Sequence, residues 1–201
     1  MIFLKTVVIA SNNKNKIREF RSILNMDNVE FKSMSDIGFT DDIIEDGNSF
    51  KENALIKART IAKKYNVIAI SDDSGLEVMA LGGAPGIYSA RYAGGHDDEE
   101  NNALLLKNLK GIEDRRARYV CNICLYYPND EYISVEEYCN GYIIDDRRGT
   151  EGFGYDPYFY VDEYKKTLAE VSLEDKNKIS HRAKALRKLR DMLDENFNII
   201  R

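Results

Sequence analysis

A run of polar residues, SNNKNK at positions 11–16, follows the first apolar segment of the chain. It lies where a predicted strand ends and a predicted helix begins. Backbone N–H groups and the positive end of the helix dipole make such a turn a site for anions, and Ser11, Asn13 and Lys16 add side-chain donors. The sequence therefore predicts a phosphate-binding turn. The alternative is a polar helix cap with a solvated lysine, because neither a Walker nor a GxGxxG pattern is present.

Two aspartates stand side by side in VIAISDDSGLEV, residues 67–78. Adjacent carboxylates repel each other and are costly to bury, so Asp72 and Asp73 predict a cation nearby. Mg²⁺ is held by one or two carboxylates together with water and phosphate oxygens. Glu45 could supply a second acid to such a site. It could instead, with Asp46, decorate the N-terminus of a helix.

An aromatic segment, GTEGFGYDPYF at residues 149–159, carries three glycines around Phe153 and Tyr155. Small residues leave room for a flat ligand to approach both the backbone and the aromatic faces, and both rings are expected to be exposed. A turn followed by an edge strand is the alternative.

The segment KNKISHRAKAL, residues 176–186, opens the last predicted helix. Its Ser180, His181 and Arg182 could donate hydrogen bonds to an oxo group or a phosphate. Capping and solvation of the helix is the other interpretation.

The composition excludes several classes of protein. The chain has 201 residues, 43% hydrophobic and 31% charged, and no apolar run reaches the roughly 18 residues that span a membrane. A net charge of −5 argues against a nucleic-acid binder, and the first residues lack the order of a signal peptide, which predicts a cytoplasmic protein. The three cysteines suggest packed thiols: Cys121, Cys124 and Cys139.

Hydrophobic periodicity predicts the elements that must position these residues. We expect a strand over KTVVIAS and another that ends at Asp72. Helices are expected after residue 12, after Ser49 and after Asp97, and the second of them begins with a capping box between Ser49 and Glu52. An irregular loop is expected over residues 76–95, a hairpin over 117–144, a short strand near PYFYV and a last helix from Ser180. Alternating helices and strands followed by a hairpin indicate a mixed sheet in an α/β fold, as one domain of two lobes or as two small domains.

Taken together, five segments resemble the inosine/xanthosine triphosphate pyrophosphatase family. They are SNNKNKIREF, ENALIKA, SDDSGLEVMALGGAPGIYSARYAG, GTEGFGYDPYF and SHRAKAL. The similarity runs from about residue 5 to 195, and the third segment is long enough to make chance agreement negligible. It implies a single pyrophosphatase domain over residues 1–201, with an elongated mixed sheet flanked by helices and an active-site cleft between two lobes.

The resemblance also implies an activity: Mg²⁺-dependent hydrolysis of ITP, dITP and XTP to the monophosphate and pyrophosphate, by a homodimer that binds a purine nucleotide. It makes Asp73 the general base and a metal ligand, with Glu45 as the other metal ligand. The implied substrate-binding positions are Ser11, Asn12, Asn13, Lys14, Asn15, Lys16, Lys57, Ser74, Phe153, Gly154, Tyr155, Asp156, Lys176, His181 and Arg182. Ser11 stands where many members have threonine, and the hydroxyl is retained.

The chemistry leaves two further expectations. A metal should lower the pKa of Asp73, so that this carboxylate orients water rather than deprotonating it in advance. Donors facing the purine 6-position should donate to a keto oxygen, whereas the amino group of adenine would leave them buried and unpaired. A pyrophosphatase for ordinary or pyrimidine triphosphates and a non-catalytic nucleotide sensor are the alternatives, and the second could dispense with the two acids.

Overall fold

The structure, a computed structural model, describes residues 5–26 and 28–195. Within them the chain forms strands and α-helices in this order: β1 (Lys5–Ile9), α1 (Lys14–Ile23), β2 (Val29–Ser33), α2 (Phe50–Tyr65), β3 (Ile68–Val78), α3 (Asp98–Asn108), β4 (Arg116–Tyr126), β5 (Tyr132–Ile143), β6 (Phe159–Val161), β7 (Lys166–Thr167), α4 (Leu173–Ile179) and α5 (His181–Glu195).

The strands form one seven-stranded sheet in the order β2-β1-β3-β4-β5-β6-β7. β1 pairs in parallel with β2 and with β3, whereas β5–β6 and β6–β7 are antiparallel pairs. β4 and β5 are neighbours joined by a tight turn, in which Tyr127 N donates to Glu131 O. So short a connection makes the two strands antiparallel, because parallel strands would need a longer crossover. The predicted mixed sheet of an α/β fold, with its hairpin, is confirmed.

The helix starts follow from their capping residues. Asn13 caps α1 by accepting bonds from two backbone N–H groups of the first turn, and Asp97 caps α3 through Glu100 N. Ser49 caps α2 through Glu52 N as predicted. The Glu52 carboxylate, however, accepts from Asn48 N, so the capping box closes one residue earlier than the standard pattern.

The prediction that a strand ends at Asp72 is wrong. β3 continues to Val78, because Leu76 and Val78 are completely buried and continue the inward-facing positions beyond the two aspartates. Residues 76–95 are therefore not one irregular loop. Their first part is strand, and short 3-10 helices follow at Met79–Leu81 and Gly86–Arg91.

The chain divides into two compact units, and of the described residues the first contains 5–26, 28–73, 121–137 and 182–195. On one face of its strands, α1 and α5 bury residues such as Phe20 and Leu186 against Ile70. On the other face, α2 buries Ala58 and Ile61. Because successive residues of a strand point to opposite faces, neighbours in β3 enter two different environments within this unit.

The second unit contains residues 74–120 and 138–181. Its core joins Leu76 of β3 and Leu105 of α3 to Phe159 of β6, Leu168 and Ile179 of α4. All five side chains are buried. This unit therefore has a hydrophobic core of its own, which supports the segment around residues 152–156.

The three cysteines are buried thiols, as predicted. Cys121 packs with the α1–α5 core and Cys124 with the α2 core, as expected for residues three apart on one strand. Burial raises the pKa of both thiols, that of Cys124 to about 12. Among the described residues, no helix has the length and apolar character needed to cross a membrane.

Candidate active site

The polar turn at residues 11–16 is shaped by its own side chains. Ser11 Oγ accepts from Asn13 N at 3.2 Å, and Asn13 Oδ1 accepts from the N–H groups of Asn15 and Lys16 at 2.9 and 3.1 Å. Asn12, Asn13 and Lys14 are exposed, with their side chains in reach of solvent. The turn therefore presents several polar groups at the start of α1, although part of its donor capacity serves the cap.

The ammonium of Lys16 is directed into the protein rather than into solvent. Its Nζ lies 3.0 Å from Asp72 Oδ2, which also accepts from Arg182 Nε at 3.1 Å. Arg182 Nη1 in turn lies 2.6 Å from Glu19 Oε2. Burial alone would raise the pKa of Asp72, but the charges of Lys16 and Arg182 outweigh it and hold that pKa below its usual value. The cation that the sequence predicted beside Asp72 is thus supplied by the protein itself.

Asp73 points to the opposite face of β3 and meets α2. Its carboxylate accepts from Asn53 Nδ2 at 3.1 Å and lies 3.5 Å from Lys57 Nζ. The same ammonium lies 2.7 Å from Glu45 Oε2. The Lys57 ammonium therefore places a positive charge between the carboxylates of Glu45 and Asp73.

In the metal-free protein the pKa of Asp73 is raised. Burial raises it and the charge of Glu45 adds to the rise, while Lys57 and Lys16 oppose it without cancelling it. Desolvation therefore exceeds the attraction of the two lysines, and the lowering by a bound metal stays a prediction. Burial lowers the pKa of Lys57, but Asp73 and Glu45 more than compensate, so this side chain is firmly cationic.

Asn53 is a candidate site residue that the sequence reasoning missed. It is 2% exposed, and while Nδ2 binds Asp73, Oδ1 accepts from Gly47 N at 2.9 Å. A side chain on Gly47 would stand 2.7 Å from Asn53 Oδ1, so glycine is needed for this approach. Asn53 precedes Lys57 by one helical turn, and that spacing was the available signal.

The donor set at Glu45 and Asp73 fits Mg²⁺. The two carboxylates come from separate segments and converge on one cationic position. Within residues 5–26 and 28–195, no three His, Cys, Asp or Glu side chains are grouped to hold a metal ion alone. Mg²⁺ commonly takes one or two carboxylates and completes its shell with water and substrate phosphate.

In the second unit, Asp156 organises the aromatic segment. Its Oδ2 accepts from Lys176 Nζ at 2.6 Å and from Phe153 N at 3.0 Å, and Asp156 is 3% exposed. The Lys176 ammonium lies 5.2 Å from the centre of the Phe153 ring. Gly152 has φ +80°, and a Cβ there would collide with the Asp156 carboxylate. Phe153, Asp156 and Lys176 thus form one cluster.

The rings of Tyr155 and His181 are buried, so neither offers an open face to a flat ligand. Tyr155 is buried, and its hydroxyl donates to Ser89 O at 2.8 Å, so the expectation of an exposed ring is wrong for this residue. His181 is 7% exposed and stacks on Tyr119 with ring centres 4.8 Å apart. Burial and the nearby Asp156 raise the pKa of the Tyr119 hydroxyl. Sequence reasoning missed Tyr119 because its position in a strand gave no other signal.

The remaining predicted positions divide between the two units. Ser74 follows Asp73 in β3 and is half-buried at the start of the second unit. Gly154 lies in the aromatic segment with φ +63°. Lys176 and His181 belong to the second unit, whereas Arg182 belongs to the first and pairs with Glu19 and Asp72. Glu19 carried no signal in the sequence, since an acid beside an apolar stripe usually faces water.

The chain is similar to characterised proteins over nearly all of its length. A dITP/XTP pyrophosphatase of Bacillus licheniformis is 50% identical over 195 residues, covering 96% of this chain and 100% of that protein. One of Bacillus subtilis is 48% identical over 197 residues, with the same coverage. The solved structure of the Staphylococcus aureus Ham1 protein has a TM-score of 0.89 and 44% identity, covering 96% of this chain and 100% of that one.

A family model agrees with these pairwise similarities. The model of the Ham1 family matches residues 7–192, a range that includes every predicted site position. The chain belongs to the Ham1 family.

Proposed function

We propose that this chain is a nucleoside triphosphate pyrophosphatase that hydrolyses dITP, ITP and XTP to the monophosphate and pyrophosphate. The proposal rests on its similarity to dITP/XTP pyrophosphatases across nearly the whole chain. The observation that carries it is the convergence of Glu45 and Asp73 on a single cationic position. A protein that only sensed nucleotides could dispense with those acids, so we favour the enzyme over a sensor.

Glu45 and Asp73 would hold the metal, which we propose to be Mg²⁺. When bound, Mg²⁺ offsets the charge that builds on the phosphate oxygens as pyrophosphate leaves. Asn53 fixes the orientation of the Asp73 carboxylate through the bond to Oδ2. Buried and held in this way, Asp73 can orient a water molecule for attack and accept its proton as the new bond to phosphorus forms.

The cationic groups of the first unit suit a triphosphate tail. The turn at residues 11–16 presents backbone and side-chain donors at the positive end of α1. Lys16 and Lys57 are held by carboxylates in the free protein, at 3.0 Å from Asp72 and 2.7 Å from Glu45. Each lysine can exchange part of that interaction for a phosphate oxygen, because an ammonium carries three donors.

We assign recognition of the purine base to the cluster of Phe153, Asp156 and Lys176, with Gly154, Tyr155 and His181 as its support. Asp156 accepts from Lys176, which leaves this ammonium further donors for the 6-keto oxygen of hypoxanthine or xanthine. The amino group of adenine would place donor against donor. Mismatches of buried hydrogen-bonding groups cost roughly 10⁴–10⁵ in discrimination at their strongest. Guanine shares the keto oxygen, so its exclusion must act at the 2-amino group.

Pyrophosphate release from ITP, dITP, XTP, ATP and GTP, with Mg²⁺ and with EDTA, tests the proposal. We expect rapid metal-dependent release from the first three substrates and slow release from ATP and GTP. Equal rates on all five would keep the chemistry and refute the account of base recognition. Rapid turnover of pyrimidine triphosphates would favour the alternative enzyme, and no release from any substrate would favour the sensor.

The proposal includes a homodimer, as the family resemblance implies, and a location in the cytoplasm. Size-exclusion chromatography coupled to light scattering measures the molar mass in solution and so distinguishes a monomer from a dimer. Cell fractionation with an antibody against the protein tests the location, and a membrane-bound fraction would contradict it.

A further inference from the structure

Helix α3 contacts both polar backbone groups of one residue in the aromatic segment. Asn102 Nδ2 donates to Gly154 O at 2.9 Å, and Asp98 Oδ2 accepts from Gly154 N at 2.7 Å. The two contacts join residues that are 52 and 56 positions apart in the sequence. Gly154 is therefore held on both sides of its backbone by side chains one helical turn apart.

The conformation of Gly154 explains why it needs such a clamp. Its φ of +63° lies in the left-handed region, and a Cβ would meet nothing within 4 Å, so glycine serves the backbone conformation and not a close approach. Gly152 is also left-handed, at φ +80°. A segment with a glycine on each side of Phe153 is flexible by nature, and fixing it costs about 1–2 kcal/mol of conformational free energy per residue.

The clamp and the base-recognition cluster share the same short segment. Asp156 holds Phe153 through its N–H at 3.0 Å, and α3 holds the next residue, Gly154. Phe153 is thus fixed from two directions, and its ring is the flat surface of the cluster. Loss of the α3 contacts would leave the ring and the Asp156–Lys176 pair free to move relative to each other.

Asn102 is suited to this role by its donors. The residue is 3% exposed, and its Nδ2 also donates to Asp98 O at 2.8 Å. Its Oδ1 has no hydrogen-bond partner within the part of the chain that the structure describes. The amide nitrogen therefore carries the contacts of this side chain, and an isosteric aspartate would turn an oxygen toward two carbonyl oxygens.

We propose that Asn102, assisted by Asp98, is a positioning residue for purine selectivity: it fixes the Gly154 peptide and thereby sets the place of Phe153 against the base. The inference rests on the proposed function, because it presumes that the Phe153 cluster binds the base. It concerns a residue whose amide nitrogen donates to backbone oxygens of the protein.

Asn102→Asp tests the inference, with Asn101→Asp as its matched control. Asn101 lies next to it on α3, is 2% exposed, and its amide contacts Ala90 O and Ala93 N instead of the aromatic segment. Both variants lose one buried amide donor group, so both are expected to lower the melting temperature. Only Asn102→Asp is expected to change how the enzyme chooses its base.

The measurement is kcat/KM for dITP and for dATP, with inhibition by inorganic tripolyphosphate as a probe that lacks a base. For Asn102→Asp we expect the KM for dITP to rise about tenfold and the dITP/dATP ratio to fall about tenfold, as for a loss of roughly 1.4 kcal/mol of differential binding. The kcat for dITP and the inhibition constant of tripolyphosphate should stay within about threefold, since the groups proposed to bind phosphate belong to the first unit, whereas the Asn102 amide donates to Asp98 O and Gly154 O.

If Asn102→Asp fails to fold, Asp98→Ala provides the second test, because Asp98 is exposed and its loss spares the core. It should lower the same ratio by a smaller factor, about threefold for one hydrogen bond. An unchanged ratio in a folded variant, or an equal loss in Asn101→Asp, would overturn the inference while the proposed function stands. A wild-type enzyme that hydrolyses dATP as fast as dITP would overturn the assigned base recognition and the inference with it, and no release from any substrate would overturn the proposed function.

Discussion

Replacing Asp72 by asparagine should lower stability, whereas replacing its neighbour Asp73 by asparagine should lower activity. Asp72 faces the α1–α5 side of β3, where its completely buried carboxylate binds Lys16 and Arg182. Asp73 faces α2, where it binds Asn53 and Lys57. We predict that Asp72→Asn destabilises the fold and that Asp73→Asn abolishes activity while leaving stability nearly intact.

The magnitude follows from the partners that each substitution leaves behind. Removing one member of a buried ion pair costs about 3–5 kcal/mol, because the other charge remains buried. Arg182 keeps Glu19 at 2.6 Å, so we expect the lower end, about 3 kcal/mol, for Asp72→Asn. A chain of this length melts about 2–4 °C lower for each kcal/mol, which predicts a fall of roughly 6–12 °C.

For Asp73→Asn the balance is different. Burial disfavours the ionised form of Asp73, as its raised pKa indicates, so a neutral amide of the same shape removes an unfavourable charge. Lys57 keeps Glu45 at 2.7 Å. We therefore expect a change in unfolding free energy below about 1 kcal/mol, and a loss of activity of about 10²–10⁴-fold for a missing proton acceptor.

Thermal and urea unfolding followed by circular dichroism provide the stability values, and pyrophosphate release at saturating Mg²⁺ provides the activity. Asp162→Asn, which removes an exposed partner of Lys165, serves as the surface control and should melt as the wild type does. Equal melting of Asp72→Asn and wild type would refute the assignment of the buried cluster. Near wild-type turnover by a folded Asp73→Asn would refute the role of Asp73.

Three further outcomes are expected. Lys57→Met removes the ammonium between Glu45 and Asp73, so the nucleotide-free protein should bind Mn²⁺ about tenfold more tightly. Electron paramagnetic resonance measures this affinity, and unchanged binding would argue against a cation position between the two carboxylates. Gly152→Ala forces a left-handed alanine against the Asp156 carboxylate, so the KM for dITP should rise about tenfold with kcat little changed, and an unchanged KM would contradict this. Buried thiols with raised pKa values should react with a thiol reagent only at the rate of unfolding, and rapid labelling of the native protein would show that this burial is misassigned.

Local signals in the sequence predicted α1, α2, α3 and α5, but not the short helix α4. Asn, Ser and Asp before an apolar stripe have one dominant use, the cap, and the structure places Asn13, Ser49 and Asp97 in that role. The buried stripe of α5, which includes Leu186 and Leu189, follows from its period alone.

The course of β3 was harder to predict because two charged residues interrupt its apolar pattern. A pair of aspartates resembles the end of a strand when only hydrophobicity is considered. The strand continues because each carboxylate finds cations on its own face, Lys16 and Arg182 for Asp72 and Lys57 for Asp73. One of these contacts, between Asp72 and Arg182, joins residues 110 positions apart, and no local pattern in the sequence indicates it.

Several site residues escaped sequence reasoning for the same reason. Asn53 and Asn102 act through their amide groups on distant backbone or carboxylate atoms, and in the sequence they are ordinary polar residues of a helix. Tyr119 lies in a strand, where aromatic residues are common. Burial of Tyr155 likewise depends on a distant acceptor, Ser89 O, whereas the glycines around it suggested exposure.

The central claim is that the chain cleaves the bond between the α and β phosphates. The most direct test is phosphorus NMR of dITP turnover with Mg²⁺ in water enriched in ¹⁸O. The account predicts dIMP and pyrophosphate in equal amounts, with the heavy oxygen in one product only, and no turnover in EDTA. Formation of dIDP and inorganic phosphate would contradict it.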